Sequence, residues 1–250
     1  MIQVKNAAQI AVMRDAGRIT GEVLQMAGEM VKDGVSTLEI DKAIHAYITK
    51  CGATPSFLNY SGFPASACIS INDEVIHGIP KANRYLHEGD IVKIDVGAYY
   101  KGYHGDSACT FPVGKVSEEA QTLIRVTRES FYKGIETIGP GSRLGDLGAA
   151  IEGYVKQFGF SAVRKFVGHG VGHELHESPE VPNFGTPGRG QRLCAGMVIA
   201  VEPMINAGVS DVKELSDGWT VKTADGKLSA HYEHTLAVTE NGALLLTKVS

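Results

Sequence analysis

Ile94-Asp95-Val96-Gly97-Ala98-Tyr99-Tyr100-Lys101-Gly102-Tyr103-His104-Gly105-Asp106-Ser107 decides how this chain folds. Apolar and aromatic residues on either side of Tyr100-Lys101 give this stretch the composition of a β-hairpin. A turn at Tyr100-Lys101 sets Asp95 directly opposite Asp106 on one face, with β-carbons about 5 Å apart. Opposed like charges destabilise a sheet unless a cation or a shared proton stands between them. A slipped register would leave both carboxylates in solvent. Asp95 sits inside the apolar run Ile91-Val92-Lys93-Ile94-Asp95-Val96, so the buried pairing is the stronger reading.

Outward from the hairpin, helices precede strands in each half of the chain. Asn6 caps a helix with an apolar stripe at Ile10, Met13, Gly17, Leu24, Ala27 and Val31, stopped by Asp33-Gly34. Ser36 and Glu39 form a capping box for a second helix, which carries Leu38, Ile40, Ile44, Tyr47 and Ile48 and ends at Gly52. Ser117 opens a third, carrying Ile124, Phe131 and Ile135 and stopped by Gly139-Pro140-Gly141; a fourth runs from about Leu144 to Phe158. A shift of 107 residues lays Gly34 on Gly141, Ala43 on Ala150, Ile44 on Ile151, Tyr47 on Tyr154 and Gly52 on Gly159. Matching caps and element order point to an internal duplication, with halves at about 1–115 and 116–250 of one catalytic domain.

Strands are expected at Ala67–Ile71, Ile91–Tyr99 and Tyr103–Phe111, then at Met197–Met204, Trp219–Thr223, Ser229–Val238 and Ala243–Lys248. Helices followed by runs of strands indicate α+β, an antiparallel sheet with helices on its outer face. Gly185–Gly190 reads as a loop.

Composition narrows the function. At 250 residues, 43% hydrophobic and 21% charged, the chain can bury a large core, and a net charge of −4 leaves no basic footprint for nucleic acid. No signal-type or membrane-spanning run is present, so a cytoplasmic location is expected. Cys51, Cys68, Cys109 and Cys194 are widely spaced, which fits neither a structural zinc site nor a disulfide framework.

Three further groups complete a constellation with the aspartates. Glu202 closes the apolar run Met-Val-Ile-Ala-Val-Glu-Pro, where a carboxylate needs a partner. Glu233 lies in His231-Tyr232-Glu233-His234-Thr235, where alternation puts it on one face with Thr235. Either glutamate alone reads as a salt-bridged edge residue; together, beside the aspartates, they read as ligands. The block Gly168-His169-Gly170-Val171-Gly172-His173-Glu174-Leu175-His176 contains His-Glu-Leu-His, one residue short of a zincin helix and too rich in glycine to be one. Glycine-flanked His169 instead suggests close backbone approach. His169 and His176 are the functional candidates there, and His173 a surface residue. His77 occupies a tight loop after a strand; His45, His87, His104 and His231 read as structural or solvent-facing, with His234 behind the ligands. Four carboxylates and one imidazole suit a pair of divalent cations and hydrolysis.

The order Asp95, Asp106, His169, Glu202, Glu233 resembles the type I, bacterial-type methionine aminopeptidases of metallopeptidase family M24. Ser70-Ile71-Asn72-Asp73-Glu74 through His77-Gly78-Ile79-Pro80, Asp90–Asp95, Gly168–Gly172 and Glu202-Pro203 carry the likeness, which spans Met1 to Val249. It implies a duplicated "pita-bread" fold. It implies two divalent ions (Co, Mn, Fe or Zn) bridged by Asp106 and Glu233, one completed by His169 and Glu202, the other chelated by Asp95. Glu202 is the implied general base, and His77 and His176 the implied partners of the scissile amide.

The resemblance also places Phe57, Tyr60, Phe63, Cys68, Leu175 and Trp219 around a methionine side chain, although an aromatic cluster is more often plain core. A thioether packs well against aromatics and sulfur. A monovalent cation, Na or K, is implied near Asn72, Glu74 and Ser229. The implied activity is removal of the initiator methionine from nascent polypeptides with a small second residue, by a monomer with the ribosome as a further partner. The alternatives are a proline-specific aminopeptidase of the same fold and a non-catalytic peptide-binding member. The start at the first helix and the short His176-to-Glu202 interval fit the compact bacterial form.

Overall fold

The computed structural model describes residues 2–139 and 141–249. Four helices form where the caps place them: α1 (Ala7–Glu29), α2 (Thr37–Lys50), α3 (Glu118–Ile135) and α4 (Leu144–Lys156). Asn6 with Gln9, and Ser36 with Glu39, close reciprocal capping boxes, and Ser117 accepts from the Ala120 amide. Helix α1 stops at Glu29, short of Val31, with Met30 as its cap. Pro140, in the expected stop after α3, lies outside the described residues.

The helix pairs head two apolar clusters. Ile19 and Val23 of α1 and Ile40, Ile44 and Ile48 of α2 meet Ile69, Val92, Ile94 and Val96. Leu123, Val126 and Phe131 of α3 with Leu147, Ile151 and Val155 of α4 meet Ile199, Val201 and Leu236. Truncating one such isoleucine to alanine costs about 2–5 kcal/mol, because both the buried methylenes and their packing are lost. Alternation along Ile91–Tyr100 gives Val92, Ile94 and Val96 to the helices and turns Lys93 and Asp95 the other way. The helices cover one side of the strands; the candidate site lies on the other.

The sheets are antiparallel. Ile91–Tyr100 pairs with Tyr103–Pro112 on one side and with Ala67–Ile71 and Thr54–Pro55 on the other. A five-stranded sheet runs Gly242–Leu245, His234–Thr239, Val198–Val201, Gly168–Gly170, Glu177–Val181. Helix α1 lies close on the hairpin: a β-carbon at Gly105 would stand 2.9 Å from the Gly17 backbone.

The hairpin corrects its expected register. Asp106 lies opposite Gly97, and Asp95 opposite Ala108. The turn is Lys101-Gly102, with φ of 49° and 88°, and a two-residue hairpin turn of this hand needs positive φ at both positions. Glycine accepts that at the second position, and Tyr100-Lys101 offers none. A shift of two keeps the face, so the aspartates are diagonal neighbours on the same side.

Two expected strands are interrupted. Met197–Met204 becomes Val198–Val201 and Met204–Asn206, and Ser229–Val238 becomes Ser229–His231 and His234–Thr239. The breaks, Glu202-Pro203 and Tyr232-Glu233, face each other across the ladder, where the Tyr232 amide donates to the Pro203 carbonyl. Proline has no amide hydrogen to continue the pairing. Each break carries one of the two glutamates. No described helix is long and apolar enough to cross a membrane, and all four cysteines are free.

Candidate active site

The Tyr103–Pro112 strand meets the second half of the chain through side-chain hydroxyls. Thr235 Oγ1 accepts from the Asp106 amide at 3.0 Å and donates to its carbonyl at 2.8 Å; Ser107 Oγ donates to the Glu233 carbonyl at 2.7 Å. The Glu233 amide donates to the Ala108 carbonyl at 2.8 Å. These bonds set Glu233 beside Asp106. Asn183, fully buried, donates to the Glu202 carbonyl at 2.9 Å and fixes the second break.

His169 arrives on the Gly168–Gly170 strand. The flanking glycines let it squeeze between its neighbours: a β-carbon at Gly168 would meet the Ala200 carbonyl at 2.3 Å, one at Gly170 the Ser178 carbonyl at 2.4 Å. Close approach is thus to adjacent strands. Nδ1 of His169 donates to the Gly170 carbonyl at 2.9 Å, which leaves the Nε2 lone pair 3.7 Å from Asp106 Oδ2 and 3.6 Å from Glu202 Oε1. Asp106, His169 and Glu233 offer ligand atoms within 4.8 Å of one another.

Asp95, Asp106, His169, Glu202 and Glu233 all line one cavity of about 580 Å³, with His77 and His176. Burial, joined by mutual repulsion, pushes the Asp95, Glu202 and Glu233 carboxyls well above their usual range; burial raises Asp106 to about 7. Burial also drives His169 down to about 3, so its ring is neutral. Asp95 Oδ1 and Asp106 Oδ1 are buried without a hydrogen-bond partner among the described residues. Unpartnered carboxylate oxygens and an imidazole lone pair aimed at one another repel unless a cation sits among them. The donor set fits divalent ions.

His77 takes a left-handed backbone, φ 59°, a strained state for a non-glycine residue that concentrates at functional sites. Burial lowers it to about 4, and its ring meets Phe166 and Trp219 edge-on. His176 stands at the cavity mouth, its ring 4.1 Å from that of His169; burial lowers its pKa as well. Phe57, Tyr60, Phe63, Cys68, Leu175 and Trp219 form the apolar wall, with Trp219 edge-on to Phe63 at 5.0 Å. Cys68 is the ladder partner of Asp95, which joins that wall to the carboxylates.

Two histidine readings change, those of His231 and His234. His231, expected to be structural or solvent-facing, is 1% exposed, with Nε2 3.6 Å from Glu202 Oε2 and 4.0 Å from Glu233 Oε2. The interruption after His231 turns its side chain inward, and its position two residues before Glu233 was the available signal. His234 packs instead on Phe131 and Thr247 and reaches Glu233 only through Ser107. His173 is exposed and anchored on the Gly102 carbonyl. Phe166 joins the cavity lining without having been singled out.

The sequence model of metallopeptidase family M24 matches residues 11–240. The chain belongs to that family, among the methionine aminopeptidases. A methionine aminopeptidase from Clostridium perfringens is 56% identical over 249 residues, covering 100% of both chains. The crystal structure of methionine aminopeptidase from Thermotoga maritima superposes with a TM-score of 0.98 at 43% identity, again over 100% of both chains. A prolidase from Pyrococcus furiosus shares the fold, TM-score 0.80 at 25% identity, but this chain spans only 66% of it. The M24 "pita-bread" fold and a metal-dependent peptidase activity follow from that membership.

Proposed function

We propose that this enzyme hydrolyses the amino-terminal methionine from polypeptides whose second residue is small. The observation that carries this reading is the apolar wall of Phe57, Phe63, Cys68, Leu175 and Trp219 standing directly beside four buried carboxylates and His169. One unbranched thioether side chain suits that wall. In this reading the chain is one catalytic domain of two related halves and works as a cytoplasmic monomer on nascent chains.

Asp95, Asp106, His169, Glu202 and Glu233 would hold two divalent ions, with Asp106 and Glu233 shared between them. Such ions, when bound, polarise a carbonyl and lower the pKa of water toward about 7. Glu202 takes the proton from the attacking water and returns it to the leaving amine. His77 and His176 are neutral at pH 7 and donate N–H hydrogen bonds to the amide without bringing a charge into the cavity. Losing one such donor costs about a hundredfold or more in rate.

A competition assay on metal-loaded protein tests the reading, with Met-Ala-Ser-Tyr, Met-Leu-Ser-Tyr and Arg-Pro-Ala-Tyr present together and products read by mass spectrometry. Methionine released chiefly from Met-Ala-Ser-Tyr is expected. Release of arginine would replace the assignment with a proline-specific peptidase, and no cleavage with any metal would leave a peptide-binding protein.

A further inference from the structure

Lys93 is one of the largest fully buried side chains among the described residues, 1% exposed, and it lies two residues before Asp95. Its Nζ donates to the carbonyl of Asn72 at 2.7 Å. That carbonyl also accepts the Ser229 amide at 3.1 Å. Asn72 is held left-handed, φ 53°, with its side chain bonded to Asp90 and to the Ile91 amide. Next to it, the Asp73 carbonyl accepts the Thr223 amide, and the Glu74 carboxylate takes the Ile71 amide and the Arg84 guanidinium.

The Ile71–Glu74 turn is thereby a junction of strands that lead to the site. Glu74–Ile76 leads into His77, Ile91–Tyr100 holds Asp95, Ser229–His231 precedes Glu233, and Val221–Thr223 follows Trp219. A positive charge at the junction draws these strands together. Asp73, Glu74 and Asp90 bring carboxylates to the same turn as the Lys93 ammonium.

The monovalent cation implied at Asn72, Glu74 and Ser229 does not fit these residues. The Asn72 carbonyl is already taken by an ammonium, the Glu74 carboxylate by a guanidinium, and Ser229 Oγ donates to Ile205 and Asn206. An alkali ion beside Lys93 would set two positive charges together in a site with little water. We propose that Lys93 is a built-in cation: its ammonium does at the Ile71–Glu74 turn the structural work of a bound monovalent ion, so this protein needs neither Na⁺ nor K⁺.

The test reads stability and ion binding, so it is independent of which peptide is cut. Thermal unfolding of the metal-loaded wild type and Lys93→Asn is compared in NaCl, KCl and choline chloride at matched ionic strength. The wild type is expected to give one midpoint in all three salts. Lys93→Asn, which trades the ammonium for a neutral amide and free space, is expected to melt about 5 °C or more lower in choline and to regain part of that loss in Na⁺ or K⁺. Ion-specific rescue separates a cation from a packing role. A wild-type midpoint that rises with Na⁺ or K⁺, or a Lys93→Asn midpoint indifferent to the salt, overturns the proposal. Should Lys93→Asn not fold, wild-type crystals soaked in Rb⁺ decide: absence of an anomalous peak at the Asn72 carbonyl supports it, and a peak there overturns it.

Discussion

The Tyr60 hydroxyl lies 2.8 Å from Nδ1 of His176, with the two rings 5.1 Å apart. Tyr60 therefore acts on an imidazole as well as on the pocket wall. When the hydroxyl donates to Nδ1, the ring hydrogen stays on Nε2, free to bond the substrate amide. Tyr60→Phe keeps the wall and removes that control. About a tenfold fall in kcat, the worth of one hydrogen bond, is expected with little change in KM. Steady-state kinetics on Met-Ala-Ser-Tyr check it, and a rise in KM at constant kcat would leave Tyr60 as wall alone.

Glu202 sits at a strand interruption held by Asn183 and Pro203, so its carboxylate can be exchanged for an amide of the same shape without moving the backbone. Glu202→Gln is expected to fold and melt like the wild type while turnover drops about a hundredfold to ten-thousandfold. Turnover near normal, with any metal, would remove Glu202 from the role of base.

The carboxyl cluster predicts how metal binding responds to pH. In the metal-free protein burial and repulsion hold Asp95, Glu202 and Glu233 well above the usual range and burial holds Asp106 near 7, so protons remain on the cluster at neutral pH. A divalent ion binds the deprotonated groups and expels those protons. Affinity must therefore rise with pH, by about tenfold per unit for each proton released. Calorimetric titration with Mn²⁺ in buffers of different ionisation enthalpy should show net proton release. A pH-independent affinity with no release would mean that the carboxyls are already ionised.

Lys5 and Glu177 form an ion pair with side chains only 3% and 5% exposed, which ties the amino-terminal segment to the residue after His176. Removing one partner strands the other charge in the interior. Lys5→Met is expected to cost about 3–5 kcal/mol, and Lys5→Met with Glu177→Met much less, because the apolar pair leaves no orphan. Urea unfolding of the two variants measures the difference; equal losses would show that packing, and not charge, dominates there.

Caps and periodicity made the helices legible: Asn6, Ser36 and Ser117 each start one where expected, since a side-chain oxygen three residues before a free amide is a local signal. The hairpin face was legible but its register was not, because Lys101 had to adopt positive φ before Gly102, a choice set by pairing along the whole strand. The breaks at Glu202 and Glu233 were hidden inside apolar runs. Each exists because the two strands leave one sheet and enter another, which no local pattern encodes. The resemblance named a monovalent-ion site at Asn72, but the chain itself carries Lys93 in the strand beside it. Only the long-range contact from Nζ to the Asn72 carbonyl reveals the substitution.

His231 follows from the same strand interruption and gives the last prediction. Its two ring nitrogens are buried without a hydrogen-bond partner among the described residues, and burial lowers its pKa to about 3, so it faces Glu202 and Glu233 as a neutral ring. A neutral imidazole there can donate one N–H to a glutamate oxygen and so orient a carboxylate toward a metal. Groups that orient ligands typically contribute about 10–100-fold to metal affinity. His231→Leu, close in size but without a donor, is expected to weaken divalent-ion binding by that amount, and His231→Gln, which keeps an N–H, to retain most of it. Competition between each metal-free variant and a chromogenic chelator for Mn²⁺ gives the comparison. If the leucine variant binds as tightly as the wild type, His231 is packing beneath the site and the two glutamates are oriented by their backbone alone.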